Sequence, residues 1–216
     1  GIKRYDLYKE GMLPYEWQPK LQKVATDLGL DFFSTPFDLV GVYFLETMNM
    51  PIYKIASFEI NDIPLIRYVA KKHKPMIIST GVADLDDIQL ALDTCYKEGN
   101  YDISLLKCTS EYPATYEQAN LLTIPDMIHR FGIPVGVSDH TMGSLVPIVA
   151  VSLGATIVEK HFILSRTNGG PDSAFSMEPN EFREMVDSIR NVERALGNVK
   201  YDITDYQRGK RRSLYA

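Results

Sequence analysis

Six short runs of β-branched, aromatic and aliphatic residues recur along the chain, and most are followed by a stretch of helical periodicity. The runs are Leu30–Phe37 (LDFFSTPF), Ile52–Ser57 (IYKIAS), Met76–Thr80 (MIIST), Ser104–Ser110 (SLLKCTS), Val135–His140 (VGVSDH) and Thr156–Phe162 (TIVEKHF), and their starts lie 21 to 31 residues apart. Most are too continuously apolar for a half-exposed strand, so they read as parallel strands covered on both faces. Strict alternation of strand and helix leaves two architectures, an open doubly wound sheet or a closed barrel. No GxGxxG follows a first strand, and polar residues end every run instead of gathering at one switch point, which favours the barrel. A closed barrel of this type takes eight strands. The expectation is therefore an α/β fold, a TIM-type (β/α)8 barrel with strands three to eight present in residues 1–200 and strands one and two missing.

The helical stretches carry their own signals. Trp17, Leu21, Val24, Ala25 and Leu28 fall on one face, with Pro19 in the first turn, where its missing N–H costs nothing. Ile63, Ile66 and Ala70 mark a second helix and Ile88, Leu92 and Cys95 a third. The longest, Glu178–Leu196, sets Phe182, Met185, Val186, Ile189, Val192 and Leu196 on one stripe, with Gly197 as a C-cap. Gly1–Gly11 reads as a polar loop, and Tyr201–Ala216 as a basic linker leaving the barrel.

Composition narrows the function classes. A net charge of −5 argues against a nucleic-acid or anionic-membrane surface. No apolar stretch approaches the length of a membrane span, and no leader is visible. The two cysteines, Cys95 and Cys108, have neither CxxC nor metal-ligand spacing, which fits a reducing, cytoplasmic setting.

In a barrel the reacting groups come from the C-terminal strand ends. His140 and His161 end consecutive strands, close enough to share one divalent ion, and imidazole is the commonest ligand for such a metal. A single histidine would read as a hydrogen-bonded strand terminus; two at equivalent positions favour the ligand reading. Asp139, Glu159 and Asp172 could add oxygen ligands or orient the rings. His73 and His129 lie among basic residues in helical segments and read as surface. Lys54 and Lys107 interrupt apolar strands, where lysine is seldom buried alone. Each could anchor a phosphate or carboxylate, form a Schiff base, or pair with Glu59 or Glu159. Lys54 and Ser57 can both face the mouth only if the strand ends between them. The hydroxyls of Thr35, Ser57, Ser79, Ser110 and Ser138 could ring a phosphate, and each alone could equally be a turn residue. The loop Asn168–Asp172 has glycines for a tight turn over the mouth.

The segments FSTPF (33–37), YKIASFE (53–59), ISTG (78–81), LKCTSEYP (106–113), SDHT (138–141), EKHF (159–162) and GPDSAFS (170–176) resemble the N-acetylneuraminate synthase family over about residues 14–215. PYEW (14–17), LKCTSEYP and GPDSAFSMEP are most similar to its pseudaminic acid synthase branch. The resemblance implies a transferase that condenses phosphoenolpyruvate (PEP) with an open-chain acylamino sugar, such as 2,4-diacetamido-2,4,6-trideoxy-altrose, releasing phosphate and a nine-carbon nonulosonic acid. It implies a manganese or magnesium ion on His140 and His161, and PEP held by Thr35, Lys54, Ser57, Ser79, Ser110 and Ser138. It further implies a catalytic acid at Glu59 and sugar contacts from Tyr112 and Asp172. Ser110 stands where the neuraminate branch usually has Asn, which argues against neuraminic acid as the product. The family's first two barrel strands and its C-terminal antifreeze-like domain, which reaches across a homodimer, lie outside this sequence. Neuraminate or legionaminate synthesis, a Schiff-base aldolase on Lys54 or Lys107, and a non-catalytic barrel fragment remain the alternatives.

Overall fold

A computed structural model describes residues 11–214; Gly1–Glu10, within the expected N-terminal loop, and Tyr215–Ala216, at the end of the expected linker, lie outside the described residues. Five parallel strands form one sheet in chain order: β1 (Tyr53–Ile55), β2 (Met76–Ser79), β3 (Ile103–Cys108), β4 (Val135–Asp139) and β5 (Val158–Lys160). Helices α1 (Gln18–Asp27) and α2 (Leu39–Thr47) precede β1. Helices α3 (Ile63–Ala70), α4 (Leu85–Lys97), α5 (Thr123–Phe131) and α6 (Leu145–Ser152) make the crossovers, and α7 (Pro179–Leu196) and α8 (Asp205–Leu214) follow β5.

The sheet curls. β1 and β5 are its two edges, four strand spacings apart, or roughly 19 Å in a flat sheet. Lys54 on β1 nevertheless reaches within 3.6 Å of Glu159 on β5, which only a concave sheet permits. Register then sorts the side chains. Tyr53, Met76 and Ile103 pair across the sheet, as do Ile55, Ile78, Leu105 and Val135, and all seven lie in the main core with residues of α3 to α6. The concave face receives the alternate set, which holds the polar or small Lys54, Ser79, Cys108, Ser138 and Glu159 together with the apolar Ile77 and Leu106. Gly136 on that face permits a close approach: a Cβ there would stand 2.4 Å from the Ile157 carbonyl oxygen. A second cluster joins α7 to α6 through Met177, Met185 and Ile189 against Ile148 and Val151.

Local signals account for the helix boundaries. Asp38 caps α2 by accepting from the Gly41 amide at 2.6 Å. Asp84 and Asp87 form a reciprocal capping box on α4. Gly132 ends α5 in the left-handed region at φ 66°. Pro19 sits in the first turn of α1 and Gly197 closes α7, as expected.

Three expectations need correction. Leu30–Phe37 is not a strand: a continuous apolar run does not supply a ladder partner, Pro36 removes a donor, and Leu30, Phe33 and Phe37 are exposed. The helix α1 forms, but Trp17, Leu21, Val24 and Leu28 on its apolar face are exposed, since no element among the described residues covers them. Within the expected linker, Asp205–Leu214 is a helix, although no residue of it is buried. No helix of the described residues is long and apolar enough to cross a membrane.

Candidate active site

The concave face and the strand ends above it gather most of the candidate residues. β1 ends at Ile55 and Ser57 opens a 3-10 turn, so Lys54 and Ser57 both face the mouth. The Lys54 ammonium donates to Ser79 Oγ at 2.7 Å and to the Ile55 carbonyl at 3.1 Å, and is 3.6 Å from Glu159 Oε2. Burial pulls its pKa down against the opposing pull of Glu159. Glu159 Oε1 accepts from Ser138 Oγ at 2.7 Å. Ser57 Oγ accepts from the Gly81 amide at 3.1 Å. Gly81 is the point of closest approach: a Cβ would lie 2.2 Å from Ser110 Oγ, 2.8 Å from Ser57 Oγ and 2.9 Å from Cys108 Sγ. Two hydroxyls and a thiol thus converge on one backbone turn beside the lysine.

Glu59 lies on the turn after β1 and buries Oε2 with no hydrogen-bond partner. Burial raises its pKa, and the Lys54 charge opposes the shift only in part. A carboxyl held above its ordinary range can carry a proton.

The two imidazoles meet one level up, with ring centroids 5.3 Å apart. His140 Nδ1 lies 2.7 Å from the Thr109 carbonyl oxygen, a contact that assigns the proton to Nδ1 and leaves Nε2 with its lone pair. Burial lowers the His140 pKa, but the Cys108 and Thr109 contacts outweigh it and the net shift is upward. His161 is shifted down by burial, partly offset by Asp172, whose carboxylate is 3.7 Å from Nδ1. Tyr112 stacks obliquely on His140 at 4.2 Å and Phe175 packs edge-on to His161 at 5.1 Å. A divalent ion fits this pair in donor type and tautomer. Among the described residues no third His, Cys, Asp or Glu joins it, so the remaining positions would fall to substrate oxygens and water.

Some candidates go elsewhere. Asp139 is not an oxygen ligand: it pairs with Lys160 on the outer face of the sheet. Lys107 is not beside Lys54. It pairs in register with Val137, faces the helices, and donates to Thr109 Oγ1 at 2.9 Å. Thr35, on the extended 30–37 segment, is half-buried and makes no hydrogen bond to another candidate among the described residues. His73 and His129 are exposed, and both cysteines are buried free thiols. The sequence reading missed Cys108, whose Sγ lies 3.9 Å from Ser110 Oγ and 4.0 Å from His140 Nδ1. The expected pairing of a strand lysine with Glu159 is found at Lys54, and Glu159 also accepts from Ser138. The two-residue steps Cys108–Ser110, Ser138–His140 and Glu159–His161 were the available signal, since each puts both members on one face.

The NeuB family model matches residues 1–201. The chain belongs to the NeuB family. It is 46% identical over 208 residues to a pseudaminic acid synthase of Helicobacter pylori, covering 96% of this chain and 61% of that protein. With a pseudaminic acid synthase of Campylobacter jejuni the identity is 42% over 217 residues, covering 99% and 63%. The chain therefore spans about three fifths of the length of these family members. A crystal structure of an N-acetylneuraminic acid synthetase from Leptospira borgpetersenii, in complex with citrate, superposes with a TM-score of 0.89 at 30% identity, covering 98% of this chain and 74% of that one. A truncated 3-deoxy-D-arabino-heptulosonate 7-phosphate synthase from Thermotoga maritima shares the fold at a TM-score of 0.73 and 19% identity, covering 86% and 74%. The curled five-stranded sheet is thus the same type of barrel wall seen in those enzymes.

Proposed function

We propose that this chain carries the catalytic face of a PEP-condensing nonulosonic acid synthase, of the branch that makes pseudaminic acid. The observation that carries the reading is Lys54, a buried cation inside the sheet, flanked by hydroxyls and set below two imidazoles at neighbouring strand ends. The Lys54 ammonium neutralises the PEP anion, and Ser57, Ser79, Ser110 and Ser138 offer hydroxyl donors around it. Thr35 would complete that set from the 30–37 segment. Tyr112 and Asp172, at the rim beside the imidazoles, would contact the sugar. His140 and His161 would hold the divalent ion, Mn2+ or Mg2+, which when bound supplies Lewis-acid polarisation of the aldehyde.

With both substrates held, carbon 3 of PEP bonds to the aldehyde carbon and the aldehyde oxygen takes up a proton. Water adds to carbon 2 and gives up one proton; the carbon 2–oxygen bond to phosphate then breaks, the remaining hydroxyl proton passes to the departing phosphate, and a 2-keto acid is left. Glu59, whose burial favours its protonated form, is the group suited to hand over the first proton and recover the one from water.

The test is phosphate release from PEP with a panel of acylamino sugars, read together with product mass, on this chain and on its full-length gene product. Release with 2,4-diacetamido-2,4,6-trideoxy-altrose, and not with N-acetylmannosamine, supports the branch assignment. Release with neither sinks the synthase reading. Lys54→Met should abolish PEP binding, while His161→Ala should lower metal stoichiometry; full stoichiometry in that variant would reject the ligand assignment.

A further inference from the structure

Among the described residues, the outer face of the sheet holds one buried ammonium that no carboxylate pairs and that the proposed chemistry does not use. Lys107 is 9% exposed and turned away from Lys54, and its only hydrogen bond among the described residues goes to Thr109 Oγ1. Burial pulls its pKa down, as expected of an ammonium with no carboxylate against it. Beside it opens a cavity of about 470 Å³ between the ends of β2 and β3 and the helices α4 and α5. Its walls mix the apolar Ile88, Met127 and Phe131 with the polar Asn120 and Thr123, and it shares Gly81 and Cys108 with the inner site. Two carboxylates also line it, and both are committed. Asp84 accepts from the Asp87 amide at 2.9 Å, and Asp126 from Arg130 Nε at 3.2 Å.

We propose that this outer cavity binds a small organic monocarboxylate, its carboxylate on the Lys107 ammonium and its apolar body against Ile88, Met127 and Phe131. The volume lies within the usual range for small-molecule pockets, and Lys107 is the one cation in a lining that mixes polar and apolar side chains. The carboxylates of Asp84 and Asp126 disfavour a multiply charged anion, which separates this ligand from the PEP of the inner site. Thr109 joins the two sites: its hydroxyl accepts from Lys107 and its carbonyl oxygen lies 2.7 Å from His140 Nδ1. An occupant that draws the ammonium away from Thr109 therefore acts one residue from the imidazole.

Benzoate is the probe, measured on this chain by calorimetry and ligand-observed NMR, with benzyl alcohol as its neutral counterpart. Benzoate should bind, benzyl alcohol should bind at least about tenfold more weakly, and PEP should not displace benzoate. Lys107→Met should weaken benzoate by about tenfold or more, and Lys54→Met should not change it. Thr123→Trp keeps the lysine and adds bulk to a lining position, so it should also weaken benzoate and covers the case in which Lys107→Met unfolds. No benzoate binding, displacement by PEP, unaltered affinity in both outer-cavity variants, or inorganic phosphate binding as tightly as benzoate would each overturn the proposal.

Discussion

Asp139 and Lys160 form a buried ion pair at 2.5 Å on the outer face of β4 and β5, with side chains 2% and 1% exposed, and each immediately precedes one of the two histidines. The Asp139 carboxylate also accepts from the Thr141 amide at 2.9 Å and hydroxyl at 3.1 Å, and Lys160 also donates to the Thr141 carbonyl. Because successive strand residues alternate sides, fixing Asp139 and Lys160 outward fixes His140 and His161 inward. Lys160→Met leaves a buried carboxylate without its cation and should cost about 3–5 kcal/mol. The paired change Asp139→Leu with Lys160→Met should recover much of that loss. Urea denaturation of the single and double variants measures both; equal loss in the two would show that the pair is not the source.

Gly81→Ala should remove PEP binding more than it removes the fold. The added methyl meets Ser110 Oγ, Ser57 Oγ and Cys108 Sγ, all closer than van der Waals contact, so the hydroxyls must move. Overpacking of this kind costs about 1–3 kcal/mol. Calorimetry with PEP beside a urea midpoint separates the two effects. Binding at full affinity would show that the hydroxyls do not need this spacing.

Glu59 gives a pH signature. Its pKa is raised in the folded chain by burial, so between the unfolded carboxylate range and the folded value the native state holds more protons than the unfolded state. Stability therefore falls as pH rises through that window and levels off above it. Glu59→Gln removes the titration, so the urea midpoint of the variant should fall less than that of the parent over the same acidic range. Parallel curves would place the carboxyl in water.

Much of this site was legible in the sequence, and the reasons are particular. A parallel strand covered on both faces announces itself as an apolar run, which is why β1 to β5 were found, and capped amphipathic helices such as α4 and α7 carry periodicity that survives without partners. Helix α6 was passed over because LVPIVAVS is apolar on every side, and such a run does not distinguish a strand from a buried helix. Leu30–Phe37 failed in the opposite sense, since a strand needs a neighbour that no local pattern can supply. The histidine pair was visible because neighbouring strand ends are adjacent by topology. Lys54 and Glu159 sit on opposite edges of the sheet, and only its curl brings them together. Lys107 differed from Lys54 by nothing but register, and register is a property of the assembled sheet.

The contact between His140 Nδ1 and the Thr109 carbonyl oxygen predicts a tautomer. A carbonyl only accepts, so the neutral ring must carry its proton on Nδ1 and present Nε2 as the basic nitrogen. Two-bond 15N–1H spectra of the neutral protein should therefore show His140 with a protonated Nδ1 and an unprotonated Nε2. Added Mn2+ should broaden the His140 and His161 ring signals together while sparing His73 and His129, which are exposed on other parts of the surface. Thr109 supplies the contact through its backbone, so substituting its side chain should leave the tautomer unchanged. An Nε2–H tautomer in the parent chain would mean that the ring is turned over, and the ligand role of His140 would fall with it.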